Sequence, residues 1–300
     1  MKSFIWKRVH SLMGLWLVLF LIEHLVTNSQ AALWLGSSGQ GFVRMVDALH
    51  NLPYLQVVEV ILLGVPILLH MGLGIQYVLH VKYNTRRTDG SSPSLPHLQK
   101  NQAYTWHRIC SWVLVVGLIW HVIAFRFIQY PMSVDQGTHT AYFVKLTKDA
   151  NLVATSHKIG VKLYDEAAVR QEVQKLKQKA RTITGSQTLL QAREDYQRQE
   201  KWVHGLRSIA IQSREVIGES SNFGSVVLLT VRETFRNPIY CVLYSVFVLA
   251  ACFHGFHGLW TFLLSWGIVI RHVMQQKIWK ICVVFMGTVA VLGLMAIWGS

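Results

Sequence analysis

The chain has 300 residues, of which 52% are hydrophobic and only 15% charged. That balance, gathered into runs of about twenty apolar residues, excludes an ordinary soluble domain and calls for membrane-spanning helices. The net charge of +14 could suggest nucleic acid. Its lysines and arginines are not gathered into one polar domain with stacking aromatics but flank the apolar runs, so the expectation is membrane lipid and no nucleic acid.

In chain order, hydropathy predicts spans at about 12–33, 56–81, 107–129, 238–266 and 278–298. They must be helices, because backbone facing lipid has to satisfy its own hydrogen bonds. The opening MKSFIWKR with its apolar run is similar to a signal peptide, and Asn28-Ser29-Gln30-Ala31 is a passable cleavage region. The run is too long for a signal peptide and cleavage would discard His24, so the first helix is expected to stay. Lys2, Lys7 and Arg8 precede the first span, and Lys82, Arg86, Arg87 and Lys100 lie between the second and third. Arg271, Lys277 and Lys280 lie between the fourth and fifth, whereas the loop joining the first two has only Arg44. This places the N-terminus in the cytoplasm and the C-terminus outside.

Residues 132–222 are polar, and 164–215 carry charges at helical spacing, predicting one or two solvent-exposed helices and no catalytic constellation. His139, His157 and His204 read as surface residues. The expected organisation is helices one to three in 1–131, an extramembrane insert in 132–222, and helices four and five in 223–300. The fold class expected is an all-α membrane protein with four of its five helices in one bundle. Cys110, Cys241, Cys252 and Cys282 fall within spans with no CxxC, so they read as small buried hydrophobes rather than thiolate ligands.

Four spans each carry one histidine deep in the run: His24, His70, His121 and His254. An ionisable ring at that depth reads as functional, and a group needing paired imidazoles within a bilayer is haem iron. His24 and His121 lie about 18 and 21 Å from the cytoplasmic start of their spans. His70 and His254 enter from outside and lie roughly 20 and 22 Å down. Depth therefore pairs His24 with His121 in the outer half and His70 with His254 in the inner half, stacking two haems across the membrane. Gly72, Gly74, Gly255 and Gly258 beside the inner pair would let a flat macrocycle approach the backbone.

Two other readings stand beside this one. His10 precedes His24 by 14 residues and His107 precedes His121 by 14, so each couple shares a helix face, as in cytochromes of quinol–cytochrome c reductases. In that arrangement His10 and His107 hold the inner haem. Alternatively Glu23, Glu59 and the histidines form the relay of a non-haem proton-coupled transporter.

The stretches KRVHSLMGLWLVLFLIEHLVTNS (7–29), NLPYLQVVEVILLGVPILLHMGLG (51–74), HRICSWVLVVGLIWHV (107–122) and FHGFHGLWTFLLSWGI (253–268) resemble a known family. It is the five-helix, dihaem cytochrome b anchor of succinate dehydrogenases and quinol:fumarate reductases. The resemblance implies two haem b groups, with His24, His121, His70 and His254 as axial ligands in the pairs that depth gives. It implies a bacterial cytoplasmic membrane, a flavoprotein partner with FAD, and an iron–sulfur partner feeding electrons to a quinone, usually menaquinone. Dihaem fumarate reductases that move protons carry a glutamate two residues before the fourth ligand. Cys252 stands there in this chain, which favours succinate oxidation. The haem b subunit of another quinone-linked dehydrogenase remains an alternative.

Arg8, His10, Ser11, His107 and Arg108 are placed to serve the inner haem's propionates. Glu23, next to His24, is the candidate for proton exchange with quinone at the outer end, with Asp47, His50 and Glu59 nearby as substitutes.

Overall fold

The computed structural model describes residues 2–33, 38–80, 85, 95, 97–182 and 189–300. Lys82, Arg86 and Arg87, which contribute to the orientation argument, lie outside the described residues. The chain forms two compact units, one made of Met1–Ser29, Leu52–Ile123 and Ile239–Gly299, the other of Gln30–Asn51 and Ala124–Pro238.

The first unit is built on five helices long and apolar enough to cross a membrane. The chain's helices begin with α1 (Lys2–Ser29), α2 (Gln40–His50), α3 (Leu55–His80) and α4 (Gln99–Ile128). Two more long ones, α9 (Pro238–Ser265) and α10 (His272–Trp298), close it. Of these, α2 belongs to the second unit. Residues such as Leu68 on α3, Val116 on α4 and Val284 on α10 are about two-thirds exposed, at 65%, 70% and 66%, as helices facing lipid require. Each spanning helix except α9 starts before its hydropathy run, by ten residues for α1 and eight for α4, because polar flanks continue the helix beyond the apolar stretch.

A local defect fixes α1 against α3. Pro66 has no N–H, so the carbonyl four residues earlier, Leu62, loses its helical donor. The helix widens into a π turn over Val60–Gly64, and the indole N–H of Trp16 donates to the Leu62 oxygen at 2.6 Å. An unsatisfied carbonyl in hydrocarbon would cost several kcal/mol, on the order of a lost buried hydrogen bond. Gly14 makes the same interface close: a Cβ there would lie 2.7 Å from the His70 ring.

The second unit corrects the all-α expectation. It holds β1 (Met132–Asp135), β2 (Thr140–Thr147), β3 (Lys162–Tyr164) and β4 (Glu215–Ser220), all antiparallel, in the order β1-β2-β4-β3. These strands are three to eight residues long. Their period-2 pattern is brief and flanked by stronger helical signals, so helical periodicity hides them. TAYFVKLT is buried on both faces, Ala141 and Phe143 on one and Val144 and Leu146 on the other, so it lacks a clean alternation.

Helices α5 (Leu152–Lys158), α6 (Glu166–Thr182) and α7 (Leu189–Ser208) lie between the strands, so two helices form within 164–215, where the charge spacing predicts one or two. The apolar α8 (Phe223–Phe235) is buried along most of its length. It belongs to this unit, which therefore continues to Pro238, beyond residue 222. Asp47 of α2 accepts from Asn222 Nδ2 at 2.5 Å and from the Gly224 N–H at 2.7 Å, while Asn222 caps α8 through the Ser225 N–H. Asp149 gathers Arg232 at 2.6 Å and Arg236 at 2.7 Å.

Candidate functional site

The five-helix unit brings the four deep histidines together two by two. His24 of α1 faces His121 of α4, with ring centroids 5.9 Å apart and planes at 85°. His70 of α3 faces His254 of α9 at 6.1 Å and 88°. With metal–nitrogen bonds of about 2 Å and a ring radius of roughly 1 Å, two imidazoles held by one iron have centroids about 6 Å apart. Both pairs fit. Among the described residues no group of three or more His, Cys, Asp or Glu is placed to hold a metal ion. Two imidazoles alone are too few for a bare cation, but would suffice for an iron whose remaining positions a macrocycle fills.

The inner pair is also oriented from behind. His70 Nδ1 lies 2.9 Å from the His10 carbonyl oxygen, and His254 Nδ1 lies 3.2 Å from that of His107. A carbonyl only accepts, so both rings donate through Nδ1 and keep Nε2 unprotonated for a metal. On the outer pair, Asn28 donates to the His24 carbonyl at 2.7 Å and its amide lies 3.4 Å from His24 Nδ1. Tyr244 and Phe247 flank His121 with ring centroids at 5.9 and 6.0 Å.

The two couples spaced by 14 residues have a different part here. His10 stacks on His70 at 4.1 Å and 7°, and His107 stacks on His254 at 3.8 Å and 13°. Helices α1 and α4 thus do equivalent work: each offers one outer histidine and, four turns earlier, one ring and carbonyl that support an inner histidine on another helix.

The remaining sequence candidates divide. Arg8 lies between the rings of Phe4 and Trp266, at 5.0 and 4.9 Å, and donates to the Ser265 carbonyl at the end of α9. Ser11 accepts from the Trp266 indole at 3.2 Å. Both therefore tie α1 to the end of α9. Arg108 offers its carbonyl to Ser111 at 2.7 Å. Glu23 adjoins His24 in sequence but is exposed, and its carboxylate accepts from Thr27 at 2.8 Å. Asp47 caps α8, and His50 stacks on Phe223 at 3.8 Å and reaches the Tyr142 hydroxyl at 3.1 Å, so both are engaged within the sheet-containing unit.

His257 reads from sequence as an ordinary core histidine; it is 2% exposed and lies 3.2 Å, Nδ1 to Nδ1, from His107. The signal was present as FHGFHG, two histidines three apart on one helix face.

These features sit beside one distant relative. Over 122 residues the chain is 25% identical to the succinate dehydrogenase cytochrome b558 subunit of Bacillus subtilis (strain 168). It is similar to a cytochrome b. The match covers 40% of this chain and 54% of the relative, so the chain spans about half the length of the curated protein it matches. No family model matches the chain, and no solved structure does.

Proposed function

We propose that the chain is the membrane-anchoring cytochrome b subunit of a succinate:quinone oxidoreductase, with two bis-histidine b haems. The observation that carries this reading is the inner pair: two imidazoles at right angles and 6.1 Å apart, each donating Nδ1–H to a backbone carbonyl. The distant relative and the five apolar helices support the anchor role.

His24 with His121 and His70 with His254 would hold the two haems, and each haem would supply one-electron transfer. The chain's own part is to hold and screen. His24 with His121 and His70 with His254 fix two levels of a path through the bilayer, the inner level facing an iron–sulfur partner that docks with a flavoprotein carrying FAD. Basic residues at the cytoplasmic ends, Lys7 and Arg8 among them, suit an acidic partner surface. The N-terminus is cytoplasmic in a bacterial inner membrane.

At the outer end, quinone, in this family usually menaquinone, takes two electrons and two protons to become quinol. Glu23 is exposed on α1 beside the outer pair, where a quinone arriving through lipid can reach a carboxylate able to exchange protons.

Purification in mild detergent tests the whole reading. The expected product is red, with reduced b-type bands from two haems per chain, and it brings down two larger soluble subunits, one with covalent flavin. A colourless protein would leave the transporter reading. Haem without a flavoprotein would favour another quinone-linked dehydrogenase.

A further inference from the structure

The two rings that support the inner pair are not held alike. His10 stacks on His70, but its buried Nδ1 has no hydrogen-bond partner among the described residues. His107 is held: its Nδ1 lies 3.2 Å from Nδ1 of His257, so one nitrogen donates to the other. His257 is in turn boxed by the edge of Tyr104 at 5.1 Å, the face of Phe253 at 5.9 Å and the edge of Trp279 at 6.3 Å. The outer torsion of an imidazole side chain has a broad, shallow preference, so its angle is set by neighbours. His257 sets that of His107, and His107 grips His254 twice, by its ring face and by its carbonyl.

We infer that His257 is a positioning residue that acts through His107 to lock the His254 ring perpendicular to His70. This rests on the haem reading above. The angle between two axial imidazole planes decides how the iron orbitals split. Perpendicular planes leave two orbitals nearly equal in energy and make the ferric state strongly anisotropic, whereas parallel planes separate them. Packing alone does not account for an imidazole at position 257, because a leucine would fill the same aromatic box without leaving Nε2 buried and without a hydrogen-bond partner among the described residues.

The test is electron paramagnetic resonance of the oxidised, purified protein, comparing the wild type with His257→Leu and His257→Asn. An asparagine amide occupies the place of the imidazole Nδ1, so it keeps the bond to His107 while removing the rest of the ring. In the wild type the inner haem should give a highly anisotropic low-spin signal. His257→Leu should lower its largest g value, or abolish the inner signal, and leave the signal of the His24/His121 haem unchanged. His257→Asn should restore the wild-type value.

An inner signal unmoved in His257→Leu would overturn the inference. So would an asparagine variant as altered as the leucine one, or an outer signal that changes equally. A wild-type protein without haem would instead refute the functional reading before any variant is made.

Discussion

The five-helix unit and the sheet-containing unit both bury polar groups, and they do so with different chemistry. In the first, neutral donors reach single backbone carbonyls: Trp16 to Leu62, His70 to His10, His254 to His107. In the second, charges gather into a network, with Asp149 between Arg232 and Arg236 and Glu233 accepting from both the backbone and hydroxyl of Thr147. Where no water can compensate, each neutral contact is individually placed and linked to the site. Where water is near, charges share the load.

That contrast predicts different failures. The largest effect on folding is expected from Arg232→Ala, because Arg232 is only 8% exposed and its loss leaves Asp149 without its main partner. The sheet-containing unit should lose about 3 kcal/mol, read by chemical denaturation, while the haem spectrum persists at low denaturant. Equal loss of spectrum and sheet would break the comparison.

The same network makes the unit acid-sensitive. Partial burial pushes the Asp149 carboxyl up. The Arg232 hydrogen bond, the Asn151 N–H and the charges of Arg232 and Arg236 outweigh it and hold the group below its ordinary value. Its stabilising contribution is therefore complete above the ordinary aspartate range and is lost as pH falls through the lowered pKa. Thermal melts of the unit should fall on acidification below about pH 4, and Asp149→Asn should flatten that fall. An unchanged slope would remove Asp149 from the acid response.

Trp16→Phe keeps an aromatic ring but removes the indole N–H that reaches Leu62 together with part of the bicycle, so a cost of about 1 kcal/mol from the lost donor is expected in detergent unfolding. Adding Pro66→Ala should recover most of it by returning a helical donor to that carbonyl. The smallest structural effect belongs to Glu23→Gln. It should slow succinate:quinone turnover while both haem bands and succinate oxidation by a soluble dye stay unchanged. Normal quinone turnover would take Glu23 out of the mechanism.

Much of the five-helix unit was legible in sequence because a bilayer tolerates few polar residues, so His24, His70, His121 and His254 stand out against their surroundings. Their mutual approach follows from depth on four helices. The supporting roles of His10 and His107 were not legible, since 14-residue spacing fixes a shared helix face but not which neighbouring ring occupies it. In the other unit, TAYFVKLT and EVIGES are strands only because they pair with each other across some seventy residues. That long-range pairing overrides the local signal. The packing of α2 on α8 through Asp47 and Gly224 likewise joins segments far apart in sequence, and nothing local announces it.

The histidine assignment stands or falls on haem content per chain in His70→Ala and His10→Ala, measured by reduced-minus-oxidised spectra with extracted haem as the standard. The pairing proposed here predicts that His70→Ala retains one haem, the outer one, while His10→Ala retains two, the inner with a shifted potential. Loss of a haem in His10→Ala with both kept in His70→Ala would contradict it and give the inner iron to His10 and His107.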